Sequence, residues 1–310
     1  VTTLRDRTLG RPDTDIQWSI HTQALTKHYG RTVGLEGLDL AVPRGVVFGY
    51  LGPNGAGKTT TIRLLTGLLR PTAGRAEVLG FDAVTDRDRV HQWVGYLPGQ
   101  FVAYPDLTAR RYLRYLAGLR GRVDWHLVEA LAARLELELD RRVGELSHGN
   151  RQKVGLVQAF MHEPELLILD EPTIGLDPLA QRVFLEMLRE ARAAGRTVFL
   201  SSHILAEVEA IADMVAILRA GRLVVVDRVE SLKARAVHRL DLTFAGPPPV
   251  PVLRSAEGVR GVEASNATAH ITLEGSAADL MRLAAPYQIE RIQTFEEDLE
   301  EVFLSYYTRA

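Results

Sequence analysis

The chain has 310 residues, 46% of them hydrophobic and 25% charged, an ordinary globular composition with length enough for two cores. Its net charge of −2 gives no bulk attraction to nucleic acid or acidic lipid. With no cysteine there is no disulfide frame, thiolate nucleophile or cysteine-bound metal, and no apolar run reaches the ~18 residues that a bilayer span needs.

Residues 1–17 are polar, lack the apolar stretch of a signal peptide and read as a tail. From Trp18 to Val42, alternating segments such as "WSIHTQAL" and "VGLEGLDLAV" predict an antiparallel layer. "VVFGYL", Val46 to Leu51, is continuously apolar, the mark of a strand covered on both faces. A glycine loop follows, then the helix "TTTIRLLTGLL", closed by Pro71, and "RAEVLGFDA" returns to strand character. Apolar residues take helical spacing in "ARRYLRYLAGL" and "WHLVEALAARLEL", which predicts a helical insertion over about 100–150. Beyond it come the strand "LLILD", the helix "PLAQRVFLEMLREARAAG", the strand "TVFLSSH", the helix "ILAEVEAIADMVA" and the strands of "VAILRAGRLVVVD". Strands alternating with helices predict an α/β fold with a mostly parallel sheet over residues 18–229. The pattern weakens near Ser231 to His238, and residues 238–310, with the rigid "AGPPPVP" loop near their start, read as a small βαββαβ, ferredoxin-like α+β domain. Asn266-Ala-Thr268 within it reads as a hairpin turn rather than a glycosylation site. At the end, Leu299, Val302, Phe303, Tyr306 and Tyr307 share one helical face, preceded by Glu296, Glu297 and Asp298. That face is expected to dock on the catalytic domain or its dimer mate.

"GPNGAGKT" fits the phosphate-loop pattern G-x-x-x-x-G-K-[ST] and lies between a buried strand and a helix, the context that the motif requires. The loop of Gly52, Pro53, Asn54, Gly55, Ala56, Gly57, Lys58, Thr59 and Thr60 is the candidate to cradle phosphates, through the backbone N–H groups of its residues other than Pro53. Lys58 would reach the β- and γ-phosphates and the Thr59 hydroxyl would face Mg²⁺. "LLILDEP" brings Asp170 out at the carboxyl end of a buried strand, where parallel sheets bind ligands, and suits it to Mg²⁺. Glu171 then points beyond the γ-phosphate, as a base for an attacking water. His203 ends "FLSSH" at a second apolar strand and is placed to hold that base and the γ-phosphate. The plain alternatives are a glycine-rich turn, a helix-capping carboxylate pair and a structural histidine. A further helix opens at "LSHGN" with Ser147 and Gly149, a second anion grip far from the first.

Taken together, the segment Trp18 to Asp227 resembles the nucleotide-binding subunit of an ABC transporter. The resemblance implies ATP and Mg²⁺ as ligands, and Tyr29 in "KHYG" as the aromatic that stacks on adenine. It identifies Leu146–Asn150 with the family's L-S-G-G-Q signature, so that Ser147, Gly149 and Asn150 grip the ATP of a second subunit paired head to tail. Asp177 in "GLDP" falls on the dimer seam. His148 and Asn150 depart from the usual Gly and Gln, while Ser147 and Gly149 remain. The family also has a glutamine that senses the γ-phosphate; here Gln100 comes one residue late, after Gly99, which leaves its contact with Mg²⁺ open. "YPDLT" and the ending "EDLEEVFLSYY" resemble the exporter branch. The implied protein is a peripheral ATPase, a homodimer or paired with a related subunit. It would serve a separate polytopic permease at the cytoplasmic face of the cell membrane and export drugs, antibiotics or lipids. A soluble ABC ATPase acting on ribosomes or nucleic acid is the alternative. The single phosphate loop, the lack of sustained heptads and the absence of a basic surplus weigh against it.

Overall fold

The computed structural model describes residues 12, 17–121, 123–234 and 237–295. Most of the polar N-terminal stretch, and residues Leu299 to Tyr307 where a helical face is expected, lie outside the described residues. The chain divides into two units, Val1–Val226 and Asp227–Ala310.

The first unit opens with two long strands, β1 (Trp18–Tyr29) and β2 (Thr32–Pro43), paired antiparallel. Next comes the short strand β3 (Val47–Leu51), with every residue buried, and then helix α1 (Lys58–Leu65). The expected helix to Pro71 stops earlier, because Gly67 turns the chain with a φ of +65°. Strands β4 (Ala73–Val78) and β5 (Phe81–Asp82) complete a four-stranded layer in the order β2-β1-β4-β5. The sequence reading passed over helix α2 (Arg87–Trp93) and strand β6 (Val94–Leu97), each too short for a clear period.

The helical insertion contains α3 (Ala109–Arg120) and α4 (Trp125–Arg134). Their starts are set by side-chain caps: Thr108 accepts from the Arg111 N–H, and Asp124 from that of His126. Helix α5 (His148–Phe160) leads into β7 (Leu166–Asp170), and α6 (Pro178–Ala193) into β8 (Thr197–Ser202). Helix α7 is confined to Leu205–Glu209. The expected continuation to Ala216 is instead strand β9 (Met214–Arg219), because Val215 and Ala216 pair in parallel with Gly49 and Tyr50 of β3. Burial in the sheet overrides their helical spacing.

With β10 (Arg222–Arg228) at its edge, the main sheet runs β10-β9-β3-β8-β7-β6. The pairs β3/β8, β3/β9, β7/β8 and β6/β7 are parallel. No residue of β3, β7 or β8 is exposed, the consequence of covering a parallel sheet on both faces. On one face Phe48, Tyr50, Ile168 and Phe199 meet Leu38, Leu40, Val42 and Val78 of the antiparallel layer, with Ile62 and Leu65 from α1. Phe48 and Phe199 stack at 5.8 Å between ring centroids.

In the second unit, helix α8 (Val229–Ala234) precedes β11 (Val237–Phe244), α9 (Val250–Arg254), β12 (Val259–Ser265), β13 (Thr268–Glu274), α10 (Ala278–Ala284) and β14 (Ile289–Phe295). The antiparallel order β12-β13-β11-β14 is that of a βαββαβ unit. Leu240, Leu242 and Phe244 alternate along β11 onto the face shared with Leu253 of α9 and Leu280 and Ala284 of α10. Asn266 makes the hairpin turn between β12 and β13 with a φ of +53°, a conformation that asparagine tolerates.

His162, just after α5, is held with one ring nitrogen 3.2 Å from the Val94 carbonyl oxygen, while its buried Nδ1 has no partner. Burial, reinforced by the charges of Arg120 and Arg196, pushes its pKa down to about 3. The unfolded chain therefore binds a proton near pH 6.5 that the folded chain refuses, and stability falls as pH drops from about 6.5 toward 3. Urea unfolding at pH 7 and pH 5 should show wild type losing on the order of 1–2 kcal/mol more than His162→Gln. Equal losses in the two proteins would exclude this proton.

Candidate nucleotide site

At the end of β3 the chain leaves the sheet through residues 52–57 and enters α1 at Lys58. Gly57 turns with a φ of +109°, and a Cβ there would lie 2.6 Å from the Gly34 carbonyl oxygen, so only glycine permits this approach. The loop is pinned from outside as well. The Gly221 N–H donates to the Ala56 carbonyl at 2.9 Å, and the Glu36 N–H to the Gly221 carbonyl at 2.8 Å. Ala56 is buried, whereas Pro53, Asn54, Gly55 and Thr59 are exposed and Thr60 is half-buried. The loop thus leaves residues 53–55 and Thr59 open to solvent on a base pinned by backbone hydrogen bonds. Tyr29 at the end of β1 lies against the same region. A Cβ on Gly34 would fall 2.7 Å from the Tyr29 ring, and Gly34 is the residue that abuts Gly57. Tyr29 is 46% exposed, with Lys27 Nζ 5.5 Å from its ring centroid.

Lys58 is buried, and its ammonium donates to the Gly52 carbonyl at 2.5 Å and the Pro53 carbonyl at 3.3 Å. It also lies 3.1 Å from Glu171 Oε1, as an ion pair without hydrogen-bond geometry. Glu171 Oε2 is 2.8 Å from His203 Nδ1. Residues 58, 171 and 203, far apart in sequence, meet because β3, β7 and β8 are parallel neighbours that end on one side. The Glu171 backbone is left-handed, with a φ of +49°, which swings its side chain off the line of β7.

Asp170, the last residue of β7, is 1% exposed. Its Oδ1 accepts a 2.6 Å hydrogen bond from Ser201 Oγ, and Ser201 Oγ in turn accepts from the Glu171 N–H at 3.0 Å. Asp170 Oδ2 is buried without a partner. Burial pushes the nearby Tyr96 phenol up to about 12, with the Asp170 charge adding to it. The sequence reading singled out His203 in "FLSSH" and missed Ser201. The signal available was a hydroxyl in an apolar strand, one residue short of the strand end.

The start of α5, expected as a second anion grip, has its own supports. Ser147 caps α5 by accepting from the Asn150 N–H at 3.2 Å. In the first turn Gly149 packs so closely that a Cβ would lie 2.3 Å from the Gly175 carbonyl oxygen, and His148 covers Gly175 from its own side. Asp177 caps α6 through the Ala180 N–H at 2.9 Å, with Lys153 Nζ at 3.4 Å. The Ala180 hydrogen bond, and then the Lys153 charge, hold its carboxyl below the usual range. The Gln100 side chain is exposed; it is Gly99 that lies against Asp170, a Cβ there falling 3.1 Å from Oδ2.

Residues 35–174 match the family described as ABC transporter. The chain is 38% identical over 222 residues to the bacitracin transport ATP-binding protein BcrA of Bacillus licheniformis, covering 70% of this chain and 72% of that protein. The BcrA of Enterococcus faecalis is 34% identical over 297 residues, 93% of this chain and 96% of its own length. This chain belongs to the ABC transporter ATP-binding proteins. YbhF of Escherichia coli, a probable multidrug ABC transporter ATP-binding protein, is 36% identical over 224 residues, and the match spans 71% of this chain but only 39% of that longer protein. A solved ATP-binding subunit of an ABC transporter superposes with a TM-score of 0.65 at 33% identity, over 69% of this chain and 91% of that one. A dimeric bacterial ABC transporter cassette shares the fold, with a TM-score of 0.63 at 21% identity over 68% of this chain and 98% of its own.

Gly149→Ala tests the packing at the start of α5. The helix gains about 1 kcal/mol of propensity, but a backbone oxygen at 2.3 Å must move, and overpacking costs about 1–3 kcal/mol. A lower urea midpoint is expected. A variant as stable as wild type would show that the Gly175 loop yields freely.

Proposed function

We propose that the chain binds ATP with Mg²⁺, hydrolyses it in a head-to-tail dimer, and thereby drives a separate membrane permease. The observation that carries the reading is the meeting of Lys58, Glu171 and His203 beside an open phosphate loop. Tyr29 stacks on adenine, and the N–H groups over residues 52–60 hold the phosphates at the start of α1. Lys58 places its charge at the β- and γ-phosphates.

The donors fit Mg²⁺. The Thr59 hydroxyl and Asp170 Oδ2, a buried oxygen with no partner, are hard oxygen ligands. Among the described residues no group of three or more His, Asp or Glu forms a metal cage of its own. Mg²⁺ in such a site would be held by one or two protein oxygens, water and substrate phosphates. Gln100, exposed and next in sequence to Gly99, is a further candidate ligand. When bound, the ion neutralises charge building on the transferred phosphoryl group. Glu171 takes the proton of the attacking water as its oxygen bonds to the γ-phosphorus, and the bond to the β–γ bridging oxygen breaks, giving ADP and phosphate. His203 lies with Nδ1 2.8 Å from Glu171 Oε2 and so holds the base in place beside the γ-phosphate.

Ser147, Gly149 and Asn150 stand at the positive end of the 13-residue helix α5 and bind the γ-phosphate held by the other subunit. Asp177 runs along that seam. The partner is a second copy or a related ATPase subunit. No helix among the described residues is long and apolar enough to cross a membrane, and the proposal gives that task to a polytopic permease. The chain then works from the cytoplasmic face of the cell membrane. Relatives named for bacitracin transport, multidrug transport and Nod factor export favour an outward cargo of drugs, antibiotics or lipids.

Glu171→Gln keeps the shape of the base but removes its proton affinity. It should bind ATP, lower turnover by roughly 10²–10⁴ and accumulate an ATP-bound dimer. Near-normal hydrolysis by the purified variant would remove Glu171 from the reaction.

Ser147→Arg should leave ATP affinity nearly unchanged while abolishing turnover, since the subunit's own phosphate loop is intact. Wild-type specific activity should rise with protein concentration until dimers saturate. A specific activity unchanged on dilution through the monomer range would refute shared sites.

A further inference from the structure

We infer that Ser201 is a positioning residue that selects which oxygen of Asp170 faces the magnesium ion and anchors Glu171 beside it, an inference that rests on the MgATP reading above. Strand β8 is otherwise built for burial, with Val198 and Phe199 fully buried and Leu200 3% exposed. A hydroxyl in such a strand destabilises the fold unless it is hydrogen-bonded. Ser201 is fully buried and uses its hydroxyl twice, toward the two acidic residues of the neighbouring strand end. The hydroxyl of Ser202, its neighbour, accepts from the N–H of Ile204 and donates to its carbonyl, a local turn. The two serines therefore do different work, and Ser201 alone reaches across to the site.

The division of labour at Asp170 follows from geometry. The Ser201 hydroxyl donates to Oδ1 at 2.6 Å, a short charge-assisted bond that fixes the carboxylate plane. Oδ2 is left buried and unpartnered, with its lone pairs free for a metal-bound water. Ligation by a single carboxylate oxygen suits Mg²⁺, which keeps most of its octahedral water shell. At the same time Ser201 Oγ and the Ser201 carbonyl accept from the Glu171 N–H at 3.0 and 3.2 Å. These bonds hold Glu171 in its left-handed backbone, φ +49°, a conformation that needs support from outside the residue. One hydroxyl thus sets the metal carboxylate and the base relative to each other.

Ser201→Ala separates the two effects. Glu171 keeps the carbonyl acceptor, so the loss falls on Asp170 Oδ1. Removing the outer partner of a metal ligand lowers metal affinity or activity by about 10–100-fold. The full chain should be titrated with a fluorescent ATP analogue, first in EDTA and then against rising Mg²⁺, alongside measurement of kcat and KM for MgATP. In Ser201→Ala, kcat should fall about 10–100-fold, and the Mg²⁺ concentration that half-saturates the metal-dependent gain in analogue affinity should rise about tenfold. Analogue affinity in EDTA should stay within about twofold of wild type, and Ser201→Thr, which keeps the hydroxyl, should restore the Mg²⁺ response. Affinity in EDTA falling in step with kcat would show a merely structural role and overturn the inference. So would a Ser201→Ala variant that matches wild type in kcat and Mg²⁺ response. A wild-type chain without Mg²⁺-dependent hydrolysis would instead overturn the functional reading on which this one stands.

Discussion

Strands β3, β7 and β8 have no exposed residue, and the rest of the first unit follows from that constraint. Helices and the antiparallel layer cover the sheet on both faces, so charge has no place along these strands. Polar chemistry can begin only where a strand ends. Because the strands are parallel and in register, with Leu51 opposite Ser202 and Asp170 opposite Ser201, their ends lie side by side. Lys58, Asp170, Glu171 and His203 collect there for that reason.

The cluster so formed is a poor place for stability and a good one for reaction. Lys58 and Glu171 are both largely removed from water, where an unpaired charge is strongly destabilising. Each is compensated: Lys58 by two loop carbonyls and Glu171, and Glu171 by Lys58 and His203. Asp170 is compensated on one oxygen only. Preorganised charges of this kind favour a substrate that brings negative charge and a cation together.

The second unit obeys the opposite rule. Its helices α9 and α10 add to a single face of the sheet, and the strands accordingly alternate buried and exposed residues, as at Leu240, Leu242 and Phe244. That alternation is what made its βαββαβ order readable despite weak local signals.

The sequence by itself determined the element types and the chemistry-bearing motifs. A continuous apolar run before a glycine loop admits few structures, and a lysine, two carboxylates and a histidine at strand exits admit few uses. Local pattern suffices there because each motif is contiguous. What tertiary structure decided is which exits are neighbours. The order β3-β8-β7 brings Ser201 to Asp170, and nothing within "FLSSH" announces that contact. The same holds for Gly34 between Tyr29 and Gly57, for Gly149 against Gly175, and for Gly99 rather than Gln100 beside Asp170. It also holds for Val215 and Ala216, whose helical spacing yields to pairing with β3. These are contacts between segments distant along the chain, fixed by sheet order and close packing, and one-dimensional periodicity carries no record of either.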